Sequence, residues 1–421
     1  MTQSGIEVAT PTLQKIVQPY LLVLFSVPFH LDAEGRRFLD PLWAKDLIEH
    51  TRYIDNLILA SPVRRGPLPA NAVEMSKVEA LRRVRCVELP EVRSFRDALR
   101  HLPRTWQLLA QASAGAALVH SAVAGWPLPE AWVLSPMLLR RRCIHYINVE
   151  SAFWRLVPGE PASLKQKLRA WVTERLNRWS VGAADISTFT QQGYRSSLLR
   201  RRLERGHVVE ASWIDADNIL GSAHLAELTR DRLVAGPLRL VFVGRLTRAK
   251  GVALLLDAVI ESLRAGLLVE LDLFGDGPLA EDCAARLQDP SLARCIRLHG
   301  SVPYDAGFFD MLGRFHLLVV PALSDEQPRV VFDAYARGLP VLASNTTGLL
   351  QCVEAGVTGL FFQSGDAHAL AAALGRAERE RTTLTAMAPA CLDRAARLTH
   401  QEMHRKRWRL LVEHFPALAR V

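Results

Sequence analysis

The segment Gly244-Arg245-Leu246-Thr247-Arg248-Ala249-Lys250-Gly251 places two cations, Arg245 and Lys250, between an apolar run and an amphipathic one. Read as a strand turning into a helix, it brings both charges to a helix N-terminus, which itself attracts anions. Gly244 lets the backbone turn tightly where the strand ends. A diphosphate whose charge grows as a bond to it breaks is the ligand such an arrangement serves. The plainer reading is a pair of solvated surface cations. Further on, Asp325 and Asp333 flank Pro328, with Glu326 next to the first. Carboxylates about two helical turns apart reach two ends of one ligand, each accepting a pair of hydroxyls. Pro328 opens the helix in this reading, and Asp325 also suits a helix cap. Asp333, beside Val331, Phe332 and Ala334, needs a partner of its own.

Between these segments lies Leu273-Phe274-Gly275-Asp276-Gly277-Pro278, a second strand-to-turn signal whose glycines permit close backbone approach to a ligand. No G-x-G-x-x-G follows a strand and no G-x-x-x-x-G-K-S/T occurs, so the chain carries neither a nicotinamide fingerprint nor a P-loop. Asp215-Ala216-Asp217 has the form of a metal-binding pair but follows the last strand of the first half, and it is assigned a structural role. The six cysteines are scattered with no C-x-x-C pair, which fits reduced thiols in a cytoplasm rather than disulfides or a zinc site. No metal ligands and no cofactor are expected.

The elements that must hold these residues follow from periodicity. At 421 residues, 49% hydrophobic and 23% charged, the chain is expected to form two cores of ordinary composition. Apolar runs at 20–29, 56–63, 84–89, 116–122, 143–149, 186–190 and 208–214 read as strands of a first domain. Runs at 238–243, 268–274, 296–299, 317–321 and 340–343 read as strands of a second. Helix-like stretches separate them, which implies α/β architecture with parallel sheets covered by helices. The expected division is 1–230, 231–395 and a final helical segment, 396–421, packing back on the first domain. Gly236 and Pro237 mark the linker. Ligands of such sheets lie beyond the carboxyl ends of the strands, so two facing domains would form one interdomain cleft.

Residues 114–139 carry only His120 and Glu130 as ionisable groups and are long enough to span a bilayer. Gly125, Pro127, Pro129 and Pro136 break them into a strand, a loop and a short helix instead. The N-terminus has no signal-peptide layout. The formal charge is +9, with basic clusters at Arg82–Arg83–Arg85, Arg140–Arg142 and Arg200–Arg202, all in the first half. Such excess suits a solvated face or an anionic partner. No zinc-finger spacing or RNA-recognition signature accompanies it, so an anionic membrane surface is expected over nucleic acid.

In this order and spacing, the segments at 244–251, 273–278 and 321–340 resemble the donor domain of the family 4 retaining glycosyltransferases, which have the GT-B fold. Leu298-His299-Gly300-Ser301-Val302, Thr346-Thr347-Gly348 and Ala355-Gly356-Val357-Thr358-Gly359-Leu360 add to the likeness, which is close from Leu238 to Glu380. The resemblance implies two Rossmann-like domains facing across a cleft and transfer from a UDP- or GDP-linked sugar to a saccharide or lipid-linked acceptor, without metal. It implies that Gly244, Arg245 and Lys250 hold the diphosphate, with Gly275 close by, and that Gly300 and Val302 hold the base. Asp325, or Glu326 beside it, would contact the transferred sugar, Asp333 the ribose, and Thr346, Thr347 and Gly348 the phosphate or sugar. Both acids of the family's E-x7-E pattern are aspartate here. The first half matches less: the glycine pair expected after the first strand is missing from Val27-Pro28-Phe29-His30-Leu31-Asp32. His120 is expected to end a strand facing the cleft, and Asn148 or Glu150 to stand near the reacting carbon. The implied setting is the cytoplasm, at the inner face of the plasma membrane, in surface-polysaccharide or glycolipid assembly. The competing readings are a non-catalytic nucleotide-sugar-binding partner and a hydrolase or phosphorylase using the same cleft.

Overall fold

The computed structural model describes residues 14–420 apart from Trp126, Pro158 and Glu160. Two sheets organise the chain. The first contains β1 (Tyr20–Val23), β2 (Phe29–Leu31), β3 (Arg37–Leu39), β4 (Leu57–Arg65), β5 (Val73–Glu74), β6 (Arg85–Leu89), β7 (Leu118–Ala122), β8 (Ile144–Val149), β9 (Ile186–Phe189) and β10 (Gly206–Val208). Its parallel body runs β6-β4-β1-β7-β8-β9-β10. The second contains β11 (Leu238–Val243), β12 (Val269–Phe274), β13 (Ile296–Gly300), β14 (Leu317–Val320), β15 (Val341–Ser344) and β16 (Gly359–Phe362). It is parallel throughout, in the order β13-β12-β11-β14-β15-β16.

The two domains share one winding. Each starts in the middle of its sheet, lays strands outward on one side, then crosses to the other. The direction reverses between β1 and β7 and between β11 and β14, and a crevice opens at such points beyond the strand ends. Burial explains the strand sequences: β14 and β15 are covered on both faces and are apolar but for Ser344. Helix Val252–Arg264 buries Val252, Leu255, Leu256, Ala258 and Val259 as one stripe against the second sheet.

Several expectations are corrected. Residues 20–29 are two strands, because the chain turns after Val23; the Phe25 N–H donates to the buried carboxyl of Glu130 at 2.7 Å and holds that turn. β2 then pairs with the far end of β4 and, antiparallel, with β3, an edge hairpin that no apolar run announced. Residues 209–214 leave the sheet after Val208 and cross to the second domain, where Ile214 joins the core. Helix Ser222–Leu233 belongs with the second domain, not the first. Arg232 Nη1 donates to the Gly338 carbonyl at 2.5 Å, and the Leu220 N–H donates to Ala336 at 2.8 Å. The crossing therefore precedes residue 230. The chain returns beside it, with the His400 N–H donating to the Ile214 carbonyl at 2.8 Å. Helix His400–His414 then packs on the first domain, with Leu411 in its core. The proline-broken stretch forms β7 and helix Glu130–Leu138, and no described helix is long and apolar enough to cross a membrane.

Candidate active site between the domains

A cavity of about 410 Å³ opens at the carboxyl ends of β11, β12 and β14, where the second sheet reverses direction. Val243, Gly244, Arg245 and Lys250 line it from the β11 turn, Phe274, Gly275 and Asp276 from the β12 turn, and Ser301, Val302 and Tyr304 from the loop after β13. Arg329 and Asp333 enter from the helix Val330–Ala336, and Leu42 and Trp213 close the side toward the first domain.

The turns pack without slack. Gly275 has φ +143°, and a Cβ there would lie 1.9 Å from the Gly244 carbonyl oxygen, so no side chain fits between the two loops. The Gly275 N–H donates to the Gly300 carbonyl at 2.7 Å, which places Gly300 behind the wall while Ser301 and Val302 face the cavity. Arg245 is exposed and its side chain has no protein partner among the described residues. Lys250 Nζ instead meets Glu326 Oε2 at 2.5 Å.

Asp333 is buried, and the Tyr304 hydroxyl donates to its Oδ1 at 2.8 Å. Burial raises its carboxyl from the ordinary 3.8 to about 7, against the pull of the Tyr304 hydrogen bond and the Arg329 and Lys45 charges. This acid is therefore poised between neutral and ionised at physiological pH. Its Oδ2 accepts no hydrogen bond from the described residues, so it can still take up a ligand hydroxyl.

The remaining donor-side residues form a second cluster. Asp325 does not cap the helix after Pro328, whose first turn is closed by the Val331 N–H on the Pro328 carbonyl. Its Oδ1 accepts the Thr347 N–H at 2.9 Å and so caps helix Thr347–Cys352. A Cβ on Gly348 would lie 2.2 Å from the Glu326 carbonyl oxygen, so these loops also touch through backbone. The first domain seals this cluster: Gln191 Nε2 and the Tyr194 hydroxyl donate to the Asp325 carbonyl, and the Gln192 N–H donates to Gln351. The Thr346 hydroxyl is buried without a partner among the described residues. Asp325, Glu326, Thr346, Thr347 and Gly348 thus adjoin the cavity without lining it, and the Lys250–Glu326 pair joins the two groups.

His120 is corrected. It lies in the middle of β7, not at its end, buried with Nδ1 2.9 Å from the Tyr20 hydroxyl and its ring 4.2 Å from that of Tyr146. Burial, then the His50 and Arg407 charges, holds its imidazole well below the ordinary range. Asn148 Nδ2 donates to Glu150 at 2.9 Å beside Arg407, and neither residue lines the cavity. Asp215 pairs with Lys45 at 2.8 Å and caps a short turn. The sequence reading missed Arg329, Tyr304 and Trp213. Arg329 was legible, since it stands four residues before Asp333 on one helix face. Nothing in the local pattern marked the other two.

Over 94–95% of its length the chain shares its fold with solved structures, among them a synthase and a UDP complex. One is sucrose-phosphate synthase from Thermosynechococcus elongatus, with TM-score 0.69 and 19% identity over 95% of this chain and 100% of that one. The other is Anabaena HepE in complex with UDP, with TM-score 0.65 and 15% identity over 94% and 100%. The architecture is GT-B, two parallel-sheet domains about a cleft. Residues 237–379 match the family described as Glycosyl transferases group 1, so the second domain carries a domain of that kind. Over 145 residues the chain is 32% identical to the amylovoran biosynthesis glycosyltransferase AmsK of Erwinia amylovora. That match covers 33% of this chain and 36% of the relative.

The raised carboxyl of Asp333 makes stability depend on pH. Its folded value lies above its unfolded one, so its contribution is full below pH 3.8 and lost as pH rises to about 7. Relative to wild type, Asp333→Asn should gain up to about 4 kcal/mol across that window in denaturant melts, then level off. A stability difference independent of pH would contradict the buried, proton-holding acid.

Proposed function

We propose that this chain is a retaining glycosyltransferase that moves a sugar, a hexose in the simplest case, from a UDP- or GDP-linked donor to a saccharide or lipid-linked acceptor. The observation that carries this reading is one cavity with Arg245, Lys250 and Arg329 on its walls and a buried acid, Asp333, among them. Diphosphate oxygens meet Arg245 and Lys250, the base lies toward Ser301 and Val302, and Asp333 takes ribose hydroxyls. The sugar then points to Glu326, Asp325 and the Thr347–Gly348 turn. As the bond from the anomeric carbon to the diphosphate breaks, charge grows on the phosphate beside the two cations. The acceptor hydroxyl approaches on the same face, forms the new bond, and passes its proton to the departing phosphate. No metal is assigned to this step, because the side-chain cations carry the positive charge. The name of AmsK and the UDP bound to HepE support the class of donor and a place in polysaccharide assembly.

The acceptor side is the first domain. A second cavity there is lined by Trp43, Arg64, Arg65 and Arg93, and Trp43 meets Trp213 of the donor cavity edge to face at 5.7 Å. Helix Leu164–Ala183 presents Leu164, Leu168, Trp171, Val172 and Trp179 to solvent along one face, with Lys165, Lys167 and Arg175 around it. Such a stripe fits an anionic membrane surface, Trp at the interface and cations at the headgroups. The stripe supports a proposed peripheral position on such a surface; the cytoplasmic face, rich in anionic lipid, is the side proposed. The helix also reaches the donor-side cluster: Arg155 pairs with its Glu174 at 2.9 Å and donates to Ser197, in the segment whose Tyr194 holds the Asp325 carbonyl.

The paired state of Lys250 favours one competing reading, a nucleotide-sugar-binding partner without turnover, since Glu326 already neutralises the cation. Turnover separates the two. With the right donor and acceptor, Lys250→Ala should lower kcat roughly 100- to 1000-fold. Glu326→Gln should tighten nucleoside diphosphate binding if the acid only masks Lys250. Binding without release of nucleoside diphosphate, across donors and acceptors, would establish the partner reading; unchanged turnover in Lys250→Ala would remove Lys250 from the mechanism. For the membrane, the wild type should co-sediment with anionic vesicles at low salt, and a Leu168→Glu/Trp171→Glu variant should bind at least roughly tenfold more weakly. Equal binding by both would overturn the assignment of this helix.

A further inference from the structure

Away from the donor cavity, the C-terminal helix meets the first domain through an unusual polar contact. His400 and His404 stand one helical turn apart on helix His400–His414 and are both buried. They face Asp46, a buried acid on helix Pro41–Tyr53. His400 Nε2 lies 3.1 Å and His404 Nε2 3.0 Å from the same oxygen, Asp46 Oδ1, and the two nitrogens are 3.2 Å from each other.

Hydrogen bonds alone do not satisfy this triangle while Asp46 is ionised. If both Nε2 atoms carry protons, two donors face each other; if one does not, its lone pair faces the carboxylate. A cation at the centre satisfies all three donors at once. The dimensions fit: tetrahedral bonds of about 2.0–2.1 Å set neighbouring donor atoms about 3.3 Å apart. The outer contacts also fit. His404 Nδ1 lies 3.1 Å from the buried Tyr53 hydroxyl, the second bond that a metal-bound imidazole ordinarily makes. His50, whose ring packs edge-on to His404 at 4.6 Å, has a buried Nε2 with no partner among the described residues.

We propose that Asp46, His400 and His404 bind one divalent transition-metal ion of the zinc class, which staples the C-terminal helix to the first domain. Two imidazoles and a carboxylate are a borderline donor set suited to zinc, and cobalt serves as its spectroscopic stand-in. The site has a line to the cleft: the Trp213 ring stacks on His400 at 5.2 Å and 17°, and Arg329 also lies against that ring, with 5.4 Å from the guanidinium carbon to its centre. The metal thus fixes the first-domain wall of the donor cavity without touching the reacting atoms.

The test uses the full chain without an affinity tag, stripped with chelator and titrated with Co²⁺, then Zn²⁺. The expected result is visible tetrahedral Co²⁺ absorption that saturates at one equivalent, is displaced by Zn²⁺, and is accompanied by a rise in Tm. A His400→Gln/His404→Gln variant should bind at least roughly a hundredfold more weakly and show no Zn²⁺-dependent Tm rise. Asp46→Asn, which keeps the shape of the site, gives the same comparison if the double variant does not fold. No stoichiometric metal in the wild type, or equal binding by the variants, would overturn the proposal. Neither result depends on donor binding or turnover.

Discussion

The ion pair between Lys250 and Glu326 couples the two halves of the candidate site. Lys250 comes from the turn after β11 and Glu326 from the loop after β14, the two strands between which the sheet changes direction. A partly buried pair at 2.5 Å restrains both loops, and each loop carries further site residues: Arg245 on one, Asp325 and Arg329 on the other. The arrangement also sets the electrostatics. Glu326 balances one cation, while Arg245 is exposed with no partner among the described residues. In the proposed reaction a diphosphate would bring enough negative charge to claim both, and the carboxylate it displaces would stand where the sugar hydroxyls arrive.

The close approach of backbones makes this coupling tight. Gly275 against Gly244, in the cavity wall, and Gly348 against Glu326, in the adjoining cluster, leave no room for a methyl group, so these loops meet through their backbones. The first domain completes the site from across the cleft. Tyr194 and Gln191 grip the carbonyl of Asp325, and Gln327 reaches back to the Thr190 carbonyl at 2.9 Å. The loop that carries Asp325 and Gln327 in the second domain is therefore held by residues of the first.

Much of this was legible in the sequence because it is local. The turns after β11 and β12 read correctly from glycines and cations bounded by apolar runs, and Asp333 read correctly as a buried acid in need of a partner. The partner, Tyr304, was not legible, because it comes from a different loop 29 residues away. Asp325 was misplaced for the same reason: its nearest helix begins just after it, yet its carboxylate caps a helix that follows a later strand. The edge hairpin β2–β3 was lost in one long apolar run that hides a turn. His120 looked like a strand-end histidine, but its strand continues past it and its neighbours Tyr20 and Tyr146 enclose it. The Asp46–His400–His404 cluster joins residues more than 350 positions apart, which no window of sequence displays.

In the proposed site Arg245 and Lys250 grip a pyrophosphate at the mouth of β11 while Glu326 yields its hold on Lys250. A crystal structure with a bound nucleoside diphosphate sugar tests this most directly. It should show phosphate oxygens within salt-bridge distance of both cations, ribose hydroxyls on Asp333, and the Glu326 carboxylate turned away from Lys250. A nucleotide seated elsewhere, with the Lys250–Glu326 pair intact, would contradict the account.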